Sequence, residues 1–245
     1  MDGPAYERVA NDLRAGILSG DVTGRLPALP GLAKRHGVTV DVARRAVDVL
    51  RGEGLLVTRQ GSGTYVRRFQ RIERVSPDRL ARARWGAGEI IQDADTGTRP
   101  RAAHVVVGEV PAPAAIAEAL GLAVGDPVLS RERRYSVEDR PVNLSTTFLP
   151  LDIAGGTRIA YTDVGPGGTY ARLAELGHAP VRFAERVTAR APRPEEVDGL
   201  DMASSVGAVV VEILQYAYTD ADRCVGVTRM VLDASAYELV YNFTA

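Results

Sequence analysis

The first 68 residues combine helix-like and strand-like patterns of apolar positions. In three segments apolar residues recur every three or four positions, which places them on one face of a helix. These segments are residues 3–19, 31–36 and 40–51. Two β-type runs then flank the glycine-rich tip of a predicted hairpin, at residues 55–59 and 64–68. This order predicts a winged helix-turn-helix, in which the third helix enters the major groove of DNA and the hairpin, the wing, contacts the backbone.

The third helix and the wing supply the candidate DNA contacts. Thr39 is the predicted N-cap of the third helix, and two arginines follow outside its apolar face. A glycine tip lets the backbone approach phosphates closely, and neighbouring arginines bind them. The predicted DNA-binding residues are Thr39, Arg44, Arg45, Arg59, Gln60, Gly61, Ser62 and Gly63. The alternative is an ordinary helix and hairpin with a solvated, charged surface.

Beyond residue 86 the pattern changes to long β-type runs in hairpin order with a few short helices. Such a pattern is typical of an antiparallel sheet domain that can hold a ligand. The predicted strands are residues 104–110, 128–137, 142–150, 181–190, 208–219, 224–233 and 237–243. The predicted fold class is α+β, with a winged helix-turn-helix domain at residues 1–68, a linker at 69–86 and the sheet domain at 87–245. The arginine-rich linker is expected to be a connector with some strand or helical structure. Its charges are expected to be solvated, with DNA contact as the alternative.

Charge separates the two halves of the chain. Residues 1–74 carry 13 Lys+Arg and 8 Asp+Glu, a net charge of +5, whereas the remainder carries 17 and 23, a net charge of −6. A basic first part joined to an acidic second part fits a DNA-binding module attached to a domain that does not touch DNA.

Several classes of protein are disfavoured by composition. The lone Cys224 excludes an internal disulfide, and the three histidines lack metal-ligand spacing, so no metal or other cofactor is predicted. No apolar run reaches the roughly 18 residues of a membrane span, and the N-terminus does not have the order of a signal peptide. We therefore expect a cytoplasmic protein without a membrane partner.

The first 68 residues resemble the DNA-binding domain of GntR-family transcriptional regulators. The resemblance rests on GRLP at residues 24–27, on the apolar positions of the three helices, and above all on EGLLVTRQGSGTYV at residues 53–66. The chain departs from the family where Leu-Pro-Ser-Glu-Arg is usual, since Ala28, Leu29 and Pro30 replace the last three residues. At the start of the recognition helix only Arg44 of the usual pattern is retained. The resemblance therefore implies an operator that differs from the common half-site.

The second half is similar to the UTRA domain, the effector-binding module of the HutC subfamily, whose fold is related to chorismate lyase. The resemblance covers residues 90–243. It rests on GDPV at 125–128, RER at 131–133, RPV at 140–142, TYARL at 169–173 and the closing pattern that ends at 243. It implies a small-molecule effector.

Residues for that effector are expected on one strand and on one helix start. Arg131, Arg133 and Tyr135 alternate onto one strand face, where they could bind an anionic or hydroxylated ligand; the alternative is two surface arginines that pair with Glu132 or Glu138. The glycines of residues 165–168 precede a helix and suit an anion, or form a flexible turn. The predicted effector-binding residues are Arg131, Arg133, Tyr135, Ser145, Gly168, Thr169, Tyr170 and Thr228. Glutamates usual in phosphosugar-responsive members are replaced by Ser145 and Gly226.

The predicted function is that of a sequence-specific, DNA-binding transcriptional regulator, a repressor, controlled by a small-molecule effector. Such proteins are usually homodimers, because paired heads bind double-stranded operator DNA at two half-sites. One alternative is an enzyme of chorismate-lyase-like fold, although no nucleophile elbow, Walker loop or dinucleotide fingerprint is present. The other alternative is a constitutive DNA-binding protein with a structural C-terminal domain.

Overall fold

The computed structural model describes residues 3–59, 61–66, 71–89, 101–137, 139–202 and 208–242 of the 245-residue chain. Two compact units divide these residues. The first contains the described residues up to 66 together with residues 202, 208 and 209, and the second contains residues 71–201 together with 210–242. Each unit has its own hydrophobic core.

The first unit begins with the three predicted helices, α1 (Ala5–Ser19), α2 (Leu29–His36) and α3 (Val40–Gly52). Their apolar faces meet in one core, where Leu32, Ala43 and Leu50 have no exposed surface. Helix α1 ends where Gly20 adopts the left-handed conformation. The expected cap of α3 is present, because the backbone N–H of Val42 donates to the Thr39 hydroxyl over 3.3 Å.

The wing is the antiparallel hairpin of β1 (Leu56–Arg59) and β2 (Gly63–Val66). Residues 24–26 lie along its outer strand, where Leu26 N–H donates to the Thr64 carbonyl over 2.8 Å and Val66 N–H donates to the Gly24 carbonyl over 2.7 Å. The segment between α1 and α2 is thus part of the wing, which fixes the hairpin to the helical core.

The second unit is built on a six-stranded antiparallel sheet in the order β4-β5-β6-β9-β8-β7. The sequence pattern predicted all six strands, although their ends differ by a few residues. The observed strands are β4 (Arg101–Pro111), β5 (Pro127–Val137), β6 (Arg140–Pro150), β7 (Arg182–Arg190), β8 (Val210–Tyr218) and β9 (Cys224–Asp233). Helix α5 (Ala114–Leu120) packs on one face of this sheet. Helices α6 (Leu151–Ala154) and α7 (Gly168–Glu175) belong to the cluster on the other face, and α8 (Pro194–Gly199) precedes β8.

The predicted linker at residues 69–86 differs most from the structure. Residues 71–86 belong to the second unit, where they form β3 (Ile72–Ser76), a 3-10 helix (Asp78–Leu80) and α4 (Arg82–Trp85); residues 67–70 lie outside the described ranges. Strand β3 pairs in parallel with β10 (Tyr237–Tyr241), the last predicted strand, which therefore forms a separate small sheet.

Two of the linker arginines are buried, which corrects the expectation that their charges are solvated. The exposed fraction is 1% for Arg74 and 3% for Arg79. The sequence pattern could not predict the burial of Arg74, because the strand that pairs with β3 comes from the far end of the chain.

Candidate functional site: a helix-wing surface and a polar cavity

The exposed face of α3 carries the three residues predicted to contact DNA there. The Thr39 hydroxyl accepts the capping hydrogen bond, yet its side chain stays on the surface. The Arg44 side chain is 55% exposed and forms an ion pair of 2.6 Å with Asp41, one turn earlier. The Arg45 guanidinium lies 4.2 Å from the centroid of the Tyr6 ring, a cation–π contact that holds this side chain over α1.

The wing tip brings glycine backbone and cationic groups together. Gly61 and Gly63 have positive φ angles of 72° and 114°, which a residue with a Cβ rarely adopts. Ser62 lies between them, and its hydroxyl is 2.7 Å from the Tyr65 hydroxyl. Gln60 and the Arg59 side chain lie outside the described residues. The predicted roles of all eight DNA-binding residues stay predictions.

Arg25 is a further candidate at this tip that the residue-by-residue analysis did not select. A Cβ built on Gly63 would lie 2.9 Å from its Nε, so the exposed guanidinium lies directly against the wing. The signal was present in the sequence, since Arg25 belongs to the GRLP segment that pairs with the wing. Its pairing could only be recognised in three dimensions.

A cavity of about 450 Å³ opens in the second unit, against one face of the six-stranded sheet. This volume suits a small metabolite. Alternate residues of β5, β6, β8 and β9 form its floor, while the loop before α7 and the start of that helix form its wall. Seven of the eight predicted effector-binding residues line it: Arg131, Arg133, Tyr135, Gly168, Thr169, Tyr170 and Thr228.

Ser145 is the exception. It lies opposite Arg133 on β6 and is 2% exposed, but it does not line the cavity. Its hydroxyl oxygen is buried without a hydrogen-bond partner among the described residues. Strand alternation places Ser145 on the correct face, and only the packing above the sheet removes it from the cavity surface.

Arg131 positions the cavity wall. This side chain has no exposed surface, and its guanidinium donates to the carbonyls of Ile159 and Tyr161 and, over 3.1 Å, to that of Thr162. Burial, with a contribution from neighbouring Arg133, lowers the pKa of Arg131 to about 10, so the group stays charged at neutral pH. The sequence alternative of a surface arginine is wrong for Arg131, which instead fixes the loop that precedes α7.

At Gly167 the loop before α7 lies close to the backbone of Trp85. The φ of 74° at Gly167 and its position both require glycine, since a Cβ there would lie 2.5 Å from the Trp85 carbonyl oxygen. No side chain caps the N-terminus of α7. The N–H of Gly168 donates to the Gly165 carbonyl over 3.2 Å, and the first turn of the helix lines the cavity with Gly168, Thr169 and Tyr170.

A row of polar residues runs across five strands of the sheet, from the cavity floor to Glu185 on β7. In register these are Arg131, Thr147, Thr228, Gln215 and Glu185. The Thr147 and Thr228 hydroxyls are 3.0 Å apart.

The same row receives Tyr170 from α7. Its hydroxyl donates to Gln215 Oε1 over 2.8 Å, and Gln215 Nε2 donates to Glu185 Oε1 over 2.7 Å. Burial is the main cause that raises the pKa of the Tyr170 phenol, so the group is a neutral hydrogen-bond donor.

Sequence reasoning missed several lining residues. Gln215 and Thr147 were identifiable as polar positions within buried strands, where an unpaired polar group is costly. Arg79 and Asp163 carried no such signal, because Arg79 lay in the predicted linker and Asp163 in a loop.

Within the ranges that the structure describes, no three His, Cys, Asp or Glu side chains are grouped so as to hold a metal ion. No helix in those same ranges is long and apolar enough to cross a membrane.

Comparison with protein families matches both units. Residues 5–66 match the family described as bacterial regulatory proteins of the gntR family, and residues 95–238 match the UTRA domain. The chain belongs to the GntR family of bacterial regulators. Its N-terminal helix-turn-helix and its C-terminal UTRA domain fit DNA-binding transcriptional regulation with an effector domain, so the family and the α+β fold class predicted from sequence are confirmed.

Relatives among bacterial transcriptional regulators match most of the chain. The chain is 30% identical to an HTH-type transcriptional regulator of Streptomyces coelicolor over 86% of this chain and 81% of the relative. It is 31% identical to another of Rhizobium meliloti, over 84% and 82% respectively. The crystal structure of a GntR-family transcriptional regulator superimposes with a TM-score of 0.60 at 30% identity, covering 99% of this chain and 98% of that one.

Proposed function

We propose that this GntR-family regulator is a cytoplasmic repressor of the HutC subfamily that acts as a homodimer. In this proposal the winged helix-turn-helix binds a pseudo-palindromic operator, and a small anionic molecule in the UTRA cavity controls that binding. The observation that carries the proposal is the presence, in one chain, of an exposed cationic helix-wing surface and a cavity lined by several arginines.

DNA contact is assigned to α3 because Arg44 and Arg45 are exposed, and to the wing because the exposed Arg25 lies against its tip. Among the described residues, Arg44 pairs with Asp41, an exposed i,i+3 partner. This ion pair is weak, so a phosphate or a guanine can replace Asp41. Thr39, Arg44 and Arg45 would lie in the major groove. Arg59, Gln60, Gly61, Ser62 and Gly63 would bind flanking phosphates, joined by Arg25.

An anionic effector is proposed because of the charges on the cavity lining. Three arginines, Arg79, Arg131 and Arg133, face one aspartate, Asp163, among the described lining residues. The partners of Arg131 in the wall are carbonyls, which leave its formal charge uncompensated. Arg133 is the side chain best suited to bind a carboxylate or phosphate directly.

The DNA part of the proposal is tested by footprinting the purified protein on DNA upstream of its own gene at moderate salt. We expect a protected region with two half-sites about one helical turn apart, as a dimer requires. Sedimentation at the same protein concentration measures the oligomeric state. A chain that protects no site there, or that is monomeric when bound, contradicts this part.

The effector part is tested by thermal shift with a panel of small carboxylates and phosphate esters. A ligand at one hundred times its Kd stabilises by about 2.7 kcal/mol and raises the melting temperature. The Arg133→Gln variant should lose the shift. Its matched control is Arg134→Gln, since Arg134 is the next residue along β5 and is exposed on the opposite face. Loss of the shift in both variants would exclude a specific role for Arg133.

The protein is proposed to act as a regulator without a catalytic step. Its family supports this, and turnover of a hydroxybenzoate-type substrate by the full chain would contradict it.

A further inference from the structure

A continuous set of hydrogen bonds leads from the cavity to β3. Tyr170 lines the cavity and donates to Gln215, which donates to the Glu185 carboxylate. Glu185 in turn accepts from Arg74 Nη1 over 3.0 Å and from Arg74 Nη2. Four side chains from α7, β8, β7 and β3 therefore form one relay. We refer to Tyr170, Gln215, Glu185 and Arg74 as the relay.

The order of donors in the relay is fixed by chemistry. An ionised carboxylate only accepts, so the amide nitrogen of Gln215 must face Glu185 and its amide oxygen must face Tyr170. Tyr170 must then donate. Burial would raise the pKa of Glu185, but hydrogen bonds from Arg74 and Gln215 and the charge of Arg74 hold it below its usual value, which keeps the carboxylate ionised. A change in the hydrogen bond of Tyr170 to Gln215 can therefore alter the hydrogen bonds that Glu185 receives.

The end of the relay away from the cavity, formed by Glu185 and Arg74, is buried. The Arg74 side chain is 1% exposed and that of Glu185 is 10% exposed. Arg74 also donates to the Ser76 hydroxyl over 2.9 Å. Separating a buried guanidinium from its carboxylate is strongly destabilising, so we expect Arg74 to follow Glu185 if the carboxylate moves. The Glu185 carboxylate also contributes, after burial, to a raised pKa of Tyr241 on β10, the strand that pairs with β3. Glu185 therefore acts on both strands of the small sheet.

Strand β3 is where the chain enters the second unit. The wing strand β2 ends at Val66 and β3 begins at Ile72. A shift of β3 therefore changes the point from which the chain leads back to the DNA-binding unit.

We propose that Glu185 transmits occupancy of the cavity to β3. A ligand that displaces the Tyr170 hydroxyl and turns the Gln215 amide toward itself removes the Nε2 hydrogen bond from Glu185, so the carboxylate can move, and with it Arg74 on β3. This proposal rests on the proposed function, because it assumes that the cavity binds an effector and that the helix-wing surface binds DNA. It assigns to Tyr170, Gln215, Glu185 and Arg74 a positioning role in regulation rather than a role in folding alone.

The experiment uses hydrogen exchange in the full chain and needs no ligand. Tyr170→Phe removes the hydroxyl at the cavity end and keeps the ring. We expect amides 72–76 and 237–241 to exchange about fivefold faster, the effect of losing one net hydrogen bond from a local opening reaction, while amides of β5 and β6 are unchanged. The matched control is Tyr216→Phe, which removes a hydroxyl from the residue next to Gln215 on the opposite face of β8.

Other exchange patterns would contradict the proposal. Equal acceleration throughout the second unit would mean that the relay only stabilises the core, and no acceleration of 72–76 would mean that the cavity end does not reach β3. The same effect in Tyr216→Phe would also overturn it.

DNA affinity provides the second measurement, on the upstream fragment used for footprinting. Tyr170→Phe should change the Kd by at least about threefold relative to Tyr216→Phe, as a modest allosteric coupling would. Accelerated exchange at β3 with unchanged DNA affinity overturns the proposal, since the strand then moves without affecting the DNA-binding unit. If the wild-type chain itself binds no DNA, the proposed function fails, which is a distinguishable result.

Discussion

Arg44 in the first unit is exposed, whereas Arg74 and Arg131 in the second unit are buried. In the winged helix-turn-helix, Arg44 is 55% exposed and its partner Asp41 is 85% exposed, so the pair contributes little to stability and the guanidinium is available to a ligand. In the second unit Arg74 and Arg131 are buried, and each is fixed to particular acceptors by several hydrogen bonds. The comparison shows that what an arginine does depends on which groups surround it after folding. We propose that the exposed arginines of the helix-wing surface bind DNA, whereas the buried Arg74 and Arg131 hold a strand and a loop of the second unit in place.

The largest effect is expected from breaking the buried pair of Arg74 and Glu185. Arg74→Met leaves the Glu185 carboxylate without its cation, and we expect the free energy of unfolding of the second unit to fall by about 3–5 kcal/mol. Urea unfolding followed by fluorescence measures this directly, because Trp85 is the only tryptophan and is buried in that unit.

The matched control for that variant is Arg223→Met. Arg223 pairs with Asp152, but the two side chains are 45% and 62% exposed, so the loss should stay below about 1 kcal/mol. Equal losses in the two variants would remove the distinction between buried and exposed arginines.

Acid should weaken the second unit through Glu196. The side chain is 4% exposed and receives two hydrogen bonds from Arg190, both of 2.7 Å, which lower the pKa of Glu196 to about 2. A carboxyl group with a lowered folded-state pKa stabilises above its unfolded pKa near 4.5 and loses this contribution as the pH falls toward 2. We expect a loss of about 2 kcal/mol between pH 7 and pH 3, measured by urea midpoints of Trp85 fluorescence.

Glu196→Gln is the control for the acid effect. It should be less stable at pH 7 and should show a flatter dependence of stability on pH than the wild type. A variant with the wild-type pH dependence would mean that other carboxyl groups cause the acid effect.

Arg44→Ala tests the exposed side of the comparison. We expect it to weaken specific operator binding by about 1–3 kcal/mol and to change the sequence preference, without a change in stability. Arg51→Ala is the control on the same helix, since Arg51 pairs with Asp48 near the C-terminal end of α3. Competition binding with operator variants measures both, and an unchanged preference in Arg44→Ala would exclude Arg44 from base recognition.

The smallest effect is expected at the wing. Arg59→Ala should weaken binding to all sequences alike and reduce the slope of log K against log salt by about 1, as loss of one phosphate contact does. Titrations at several salt concentrations measure the slope, with Arg223→Ala in the other unit as the control. A slope equal to that of the wild type would mean that Arg59 does not contact phosphate.

Much of the fold followed from local patterns. Helix α3 was predictable because Ala43, Ala46, Val47 and Leu50 repeat at helical spacing behind a Thr39 cap. Strand β5 was predictable from alternation, which also placed Arg131 and Arg133 on one face. The parallel pairing of β3 with β10 was not, because no local pattern reports that residues 72 and 237 are neighbours.

The sequence by itself determined the two domain types and the strand face that carries Arg131, Arg133 and Tyr135. Periodicity and turn residues are local properties, and they act before any long-range contact forms. Only the tertiary structure decided which polar groups meet, since Tyr170, Gln215, Glu185 and Arg74 come from four distant segments. Arg131, predicted as a ligand contact, is buried and donates to carbonyls some 30 residues away along the chain. It therefore supports the cavity wall.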